Sequence, residues 1–252
     1  MGINLGNMNS GSTGATNIGG GIVLPAPTPV AENQTVSDGK GGLTLNLQKN
    51  QVLDITKRNP GLKKIKVGLG WDASRSSDDS DLDVATFILD RTDTSKICYY
   101  HNSFDLDVVA LILDSRNKIT DTSKICYYHN RNTNGCNLSE DNRTGQGEGD
   151  DETITVDLAN VPKDVEKIVF AVTIYEADVR RQNFGMIDNS YIRLLDNNNG
   201  DKELCRFILT DNSSFDKAVL FAEVYRNGQE WEFRTIGEGK NVDLNGLANL
   251  YF

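Results

Sequence analysis

No stretch of this 252-residue chain approaches the roughly 18–20 consecutive apolar residues that a bilayer-spanning helix requires. Its first residues, MGINLGNMNSGSTGATNIGG, lack a basic region followed by an apolar run, so they do not make a secretory leader. Positive charge is in deficit as well. Thirty-six acidic residues face 26 lysines and arginines, for a formal net charge of −10. A surface of that sign repels a phosphate backbone and excludes non-specific binding of nucleic acid. The four cysteines, Cys98, Cys126, Cys136 and Cys205, show no CxxC spacing. Free thiols in a reducing cytoplasm fit that pattern better than disulfides or a zinc site.

Catalytic motifs are missing too. No GxSxG, GxxxxGK or HExxH occurs. The two histidines, His101 and His129, are one residue of an internal repeat. A lone histidine at a strand end is more often a surface or hydrogen-bonded side chain than a base or a ligand. Glycosidic chemistry needs two carboxyl groups in contrasting environments, and a single acidic loop does not display them. These absences point to a protein that is not an enzyme.

Helical periodicity is nearly absent, and short alternating runs broken by turn residues take its place. LTLNL (43–47), KKIKVGLGW (63–71), ETITVDL (152–158), KIVFAVTIY (167–175), SYIRLLD (190–196), ELCRFIL (203–209), AVLFAEVYR (218–226) and EWEFRTI (230–236) all have strand character. NNNG (197–200) and NG (227–228) are hairpin turns. VPKDVEK (161–167) and the last residues are each long enough for about one helical turn. The expected fold class is all-β: a β-sandwich of two antiparallel or mixed sheets with few short helical turns. Residues 1–40, rich in Gly, Asn, Ser, Thr and Pro, carry too little apolar side chain to offset their ordering entropy and are assigned to a flexible tail. An arm that orders on a partner or on a neighbouring copy is the alternative. The domain proper is assigned to 41–252.

Inside it lies a duplication. DLDVATFILD (81–90) and TDTSKICYYHN (92–102) are mirrored by DLDVVALILD (105–114) and an identical TDTSKICYYHN (120–130). Each copy has the pattern of one hairpin, with Arg91 alone in the first turn and Ser115 to Ile119 in the second. A solenoid needs about three repeats to bury a core, so two copies indicate a local duplication over 81–130 within one domain.

Acidic residues cluster in two places: Asp72, Asp78, Asp79, Asp81, Asp83 and Asp90, then Asp141, Glu148, Asp150, Asp151 and Glu152. The second run, DNRTGQGEGDDE, is interleaved with Gly145, Gly147 and Gly149. A hard cation such as Ca²⁺ takes six to eight oxygens, and a glycine-rich acidic loop supplies both backbone carbonyls and carboxylates. Without a cation, such crowding raises carboxyl pKa values and opposes folding. The spacing is not that of an EF-hand: counted from Asp79, Val84 falls where that loop needs glycine. A solvated surface loop would show the same run of charge.

NPGLKKIKVGLGWD (59–72), FDLD (104–107), DNRTGQGEGDDETITVDLANVPKDVEKIVFAVTI (141–174), RQNFG (181–185) and EVYRNGQEWEFRTIGEG (223–239) resemble the TerD family of tellurite-resistance and stress proteins. The resemblance runs from about Gly41 to the C-terminus and implies a Ca²⁺-binding β-sandwich without catalysis. It also implies a cytoplasmic stress-response protein, working in complexes at the inner face of the membrane, with Ter-type proteins or further copies of itself as partners. Carried over residue by residue, the ligand set comprises Asp72, Asp81 and Asp83 or Asp105 and Asp107, Asp141, Asn142, Gly145, Gly147, Asp150, Asp151, Glu152 and Glu176. Tyr175 stands where the family has histidine, and the family has one FDLD hairpin where this chain has two. A self-assembling structural protein and a cyclic-nucleotide-binding module are the alternative functions.

Overall fold

A computed structural model of the protein describes residues 16–17, 23–30, 34–37, 43–72, 85–87, 97–99, 104–140, 149–208 and 216–252. The first strands are β1 (Thr16–Asn17), β2 (Val23–Leu24), β3 (Thr28–Pro29), β4 (Thr35–Ser37), β5 (Leu43–Leu47), β6 (Gln51–Asp54) and β7 (Lys64–Asp72). The repeated region contributes β8 (Ala85–Phe87), β9 (Ile97–Tyr99), β10 (Leu106–Leu113) and β11 (Ile125–Cys126). There follow β12 (Asn132–Thr133), β13 (Cys136–Leu138), β14 (Glu152–Asp157) and β15 (Lys167–Ile174). The last four are β16 (Asp188–Asp196), β17 (Lys202–Ile208), β18 (Ala218–Asn227) and β19 (Glu230–Lys240). Three short helices, α1 (Ile55–Arg58), α2 (Ala177–Arg180) and α3 (Leu244–Asn249), join or close them.

The strands form a seven-stranded sheet, β11-β10-β15-β18-β19-β6-β3, and an eight-stranded sheet, β12-β13-β14-β7-β16-β17-β5-β4. Neighbours run antiparallel except β17 with β5 and β3 with β6. One apolar cluster, including Ile65, Val67, Leu69 and Trp71 of β7 and Leu106, Val108 and Ile112 of β10, fills the space between the sheets. This is the mixed β-sandwich expected from the alternating runs, and all eight runs are strands. At the NNNG and NG turns, Gly200 and Gly228 hold φ of 62° and 65°, where a side chain would be strained. No helix among the described residues is long and apolar enough to cross a membrane.

β10 is buried at all eight positions. Its second face carries Val109, Leu111 and Leu113 into another cluster, closed by Leu247, Ala248 and Tyr251 of the C-terminal segment. Coverage on both faces is why VVALIL (108–113) is a continuous apolar run rather than an alternating one.

One feature departs from the sequence reading. The tail boundary at residue 40 passes over ordered strands: β3 lies beside β6 at one sheet edge and β4 beside β5 at an edge of the other. Arg234, 1% exposed, donates to the Pro25 carbonyl at 2.6 Å, and Asn50 donates to the Ala26 carbonyl at 2.8 Å. A few backbone hydrogen bonds thus tie down a segment whose composition offers little apolar area. The repeat, for its part, is resolved unequally. β10 and β11 belong to the seven-stranded sheet, whereas β8 and β9 pair with each other as a separate two-stranded unit.

Both hairpins nevertheless share one register. Ala110 faces Cys126 and Leu111 faces Ile125; at the corresponding places Thr86 faces Cys98 and Phe87 faces Ile97. The sheet position suits the second copy for two reasons. Val109, Ala110 and Leu111 are fully buried, and the first copy has Ala85, Thr86 and Phe87 in their place. That exchange would open a cavity, bury a hydroxyl and overpack a third site, together about 4 kcal/mol. The longer turn also matters: Asp114 accepts from the amides of Arg116 and Lys118, and the Ile119 amide donates to the Tyr251 carbonyl at 2.7 Å.

Deleting residues 81–103, which spares the buried Phe104, should therefore leave the melting temperature within about 3 °C of the full chain. Deleting 103–130, which forces the first copy into the sheet, should lower it by roughly 10 °C or more. Calorimetric scans of the two deletion variants check this.

Candidate functional site

The strand order brings acidic residues from distant parts of the chain to one end of the sandwich. β10 begins there, with Leu106 opposite Ile174 at the end of β15. β14 begins there, with Glu152 opposite Leu69 near the end of β7. The last residue of β7, Asp72, pairs with Asp188 at the start of β16. Asp105 and Asp107 are 7% and 5% exposed, and Glu152 is 1% exposed, so three carboxylates are buried at this end.

The run Asp150-Asp151-Glu152 is split three ways. Asp150 lies over the outer face of the eight-stranded sheet, where Arg193 donates to its two carboxylate oxygens at 2.7 and 3.0 Å. Asp151 turns back along β7 and accepts from the Trp71 amide at 3.1 Å. Glu152 points inward and accepts from the Val108 amide at 2.7 Å, joining the two sheets. β11 pairs with β10 only at Ala110 and Leu111, so the Val108 amide lies beyond its reach and the glutamate supplies the acceptor. Trp71 Nε1, buried next to Asp72, has no acceptor among the described residues.

Asp105 and Glu176 both approach Arg180, at 3.8 Å each. Glu176 stands half-exposed at the start of α2 with a left-handed backbone, φ 52°. Of the other sequence candidates, Asp81, Asp83, Asp141, Asn142, Gly145 and Gly147 lie outside the described residues, as does the side chain of Asp72. Among the described residues, no three His, Cys, Asp or Glu side chains converge closely enough to hold a metal ion. What is present has the right chemistry for a hard cation: oxygen donors, two of them oriented by backbone amides as outer-shell partners orient metal ligands. An ionised carboxylate has about four lone-pair sites, so accepting from an amide does not by itself exclude coordination of a cation. Asp150 is differently placed, because its two oxygens are engaged by a guanidinium.

The arginine network on the outer face escaped the sequence reading. Arg193 also donates to Glu203 at 3.1 Å, Arg206 donates to Glu203 at 2.9 and 3.0 Å, and Arg206 lies 4.7 Å over the Tyr191 ring. The one signal for it was GLG inside a strand. A Cβ on Gly68 would meet Asp150 at 2.1 Å and one on Gly70 would meet Tyr191 at 2.4 Å, so these glycines make room for side chains. Among the described residues Cys126, Cys136 and Cys205 are free and buried, and burial pushes the Cys126 thiol up to about 11.

A two-sheet β-sandwich with an acidic end formed by β7, β10 and β14 defines the class of protein. Comparison narrows it: the TerD domain matches residues 43–103 and 99–251, so the chain belongs to the TerD family. The two matched segments meet inside the duplication, each carrying one copy of the hairpin. The chain is 37% identical over 210 residues to the tellurium resistance protein TerD of Serratia marcescens, covering 82% of this chain and 95% of that protein. It is 36% identical over 211 residues to general stress protein 16U of Bacillus subtilis (strain 168), covering 83% and 97%. A solved homologue of the telluride resistance protein TerD from Streptomyces coelicolor A3(2) superposes with a TM-score of 0.52 at 22% identity, over 75% of this chain and 96% of that one, and so shares the fold.

Replacing Arg193 with Met should destabilise the protein by about 3 kcal/mol in urea titrations, since the buried Asp150 carboxylate would lose its guanidinium while Glu203 kept only Arg206. Burial raises the Glu203 pKa, but the hydrogen bonds from Arg206 and Arg193 outweigh it and hold the group below its usual 4.5. Its folded value is depressed, so its contribution is fully present above 4.5 and is lost as pH falls through the folded value. Urea midpoints of Glu203→Gln should accordingly show a shallower loss of stability below that pH than the parent chain.

Proposed function

We propose that this TerD-family chain is a non-enzymatic calcium-binding protein of the tellurite and stress response, acting as a scaffold in a cytoplasmic complex at the membrane face. The observation that supports it is the delivery of Asp105, Asp107, Asp151 and Glu152 by strand ends of both sheets to one end of the sandwich. Asp72, Asp141 and Asn142 are further oxygen donors of the proposed set, with Asp81 and Asp83 as the alternative to Asp105 and Asp107. When bound, calcium supplies charge neutralisation and a cross-link between loops, not reaction chemistry. The chain's own part is to hold the carboxylates in place through the Trp71 and Val108 amides. The names of the relatives, a tellurium resistance protein and a general stress protein, fit the same response.

Self-assembly is the second reading, and the separate β8–β9 hairpin favours it, since its ladder lies outside both main sheets. Light scattering on the 81–103 deletion separates the two: an unchanged oligomeric state removes the hairpin as an assembly element. A cyclic-nucleotide module is less well supported, because the groove beside β10 is lined with acids that would repel a phosphate.

Calcium at about one hundred times its dissociation constant should stabilise the fold by about 2.7 kcal/mol and raise the melting temperature by roughly 5–10 °C. Asp151→Asn should lose most of that increment. Asp150→Asn should lower the baseline melting temperature through Arg193 yet keep the increment. Scans with calcium and with a chelator give the answer, and no rise with calcium removes the proposal.

A further inference from the structure

The chain contains four Asn-Gly pairs: Asn134-Gly135, Asn199-Gly200, Asn227-Gly228 and Asn245-Gly246. In each, a glycine without Cβ leaves its own amide nitrogen open to the preceding side chain, which makes the asparagine chemically labile. The fold treats the four unequally. Asn134 is locked: its side-chain amide donates to the Ser123 carbonyl at 3.2 Å and to Thr133 Oγ1 at 2.6 Å, and its Oδ1 accepts from Lys124 at 3.1 Å. A Cβ on Gly135 would already meet Val161 at 3.3 Å, so that turn has little room to rearrange. Asn227 donates to Glu232 at 2.7 Å. Asn245 lies in α3, and the Gly246 amide that ring closure needs already donates to Asp243 Oδ1 at 2.8 Å.

Asn199 has none of these restraints. It is exposed, its side chain has no hydrogen bond among the described residues, and a Cβ on Gly200 would meet nothing within 4 Å. Its backbone forms the NNNG turn, where the Asn199 amide donates to the Asp196 carbonyl at 3.1 Å and the Lys202 amide to the Asn199 carbonyl at 3.3 Å. That turn is fastened to the entry of β7. Asn198 Oδ1 accepts from the Lys63 and Lys64 amides at 3.0 and 2.7 Å, and the Asn197 amide donates to the Lys64 carbonyl at 3.1 Å.

We propose that Asn199 is a spontaneous deamidation site, whose reaction with water loosens the β16–β17 hairpin from β7 as the protein ages. The Gly200 nitrogen gives its proton to solvent and bonds to Asn199 Cγ, the Cγ–Nδ2 bond breaks, and ammonia leaves. Water then opens the cyclic imide. Opening at Cγ gives aspartate; opening at the main-chain carbonyl gives isoaspartate, whose backbone carries an extra methylene. Either product adds a carboxylate between Asp196 and Asp201, and isoaspartate also shifts Asn198 against the Lys63 and Lys64 amides. The turn lies at the far end of β16 from Asp188, which pairs with Asp72, so this chemistry does not involve the acidic end.

The full chain is incubated in mildly alkaline buffer made with heavy-oxygen water, and peptide mapping by mass spectrometry follows deamidation and label at the four sites. In the folded chain Asn199 should react about tenfold faster than each of the others, the factor set by one hydrogen bond that must break first. In urea, where the restraints are gone, the four rates should converge within about threefold. A folded chain in which another pair reacts as fast as Asn199 overturns the site, and so does a spread of rates that urea leaves unchanged. Ageing should lower the melting temperature by about 3–5 °C. Asn199→Gln, which keeps an exposed amide but closes a larger ring only slowly, should hold it constant. An aged parent that melts like the fresh protein, or a Gln variant that drifts equally, removes the loosening.

Discussion

A strand with no exposed residue has to be covered on both faces, and that demand of β10 organises the protein. One face meets β7 and β14 across the sandwich; the other recruits Leu247 and Tyr251 from the far end of the chain. Each large side chain so buried contributes about 1.5–3 kcal/mol, enough to make this packing a main source of stability. The start of the strand is held as firmly as its middle, by the Glu152 carboxylate on the Val108 amide and by the Tyr175 amide on the Asp105 carbonyl. Asp105 and Asp107 therefore occupy fixed positions. The acidic end is built on strand termini rather than on a loop alone.

A second constraint lies at the other side of the seven-stranded sheet. Arg234 is buried with Glu223 at 3.7 Å, and a guanidinium at that depth needs acceptors around its whole fork. The Asn50 side chain and the Pro25 carbonyl provide them. The residues just after Pro25 then run along β6, and a few residues later β4 covers β5. Two sheet edges that would otherwise offer open hydrogen-bonding groups are occupied by the chain's own beginning.

Much of this was legible. The short runs of strand character broken by turn residues, alternating in β7 and β14, pointed to the sandwich. What could not be read was anything decided by a partner far along the chain. The approach to β3 depends on Arg234, some two hundred residues away, through the Pro25 carbonyl, and no local pattern signals it. Asp150 and Asp151 are adjacent and chemically identical, yet one faces an arginine and the other a backbone amide, because the chain turns between them as it enters β14. The contact of the Tyr128 and Tyr175 rings escaped for a related reason: they meet because β11 and β15 flank the same strand.

The shared register of the two hairpins bears on how such a chain can arise at all. A duplicated single strand would bring a row of unsatisfied amides and carbonyls into a folded domain and force a competition for pairing. A duplicated hairpin brings donors and acceptors that satisfy one another, in the pairing already encoded by TDTSKICYYHN. The added copy makes no demand on the existing ladders. The differences between the copies are concentrated in its first strand, at Ala85, Thr86 and Phe87, while the second strand is unchanged. Self-sufficiency in hydrogen bonding sets the smallest piece of a β-sheet that a gene can copy in place without unfolding its product.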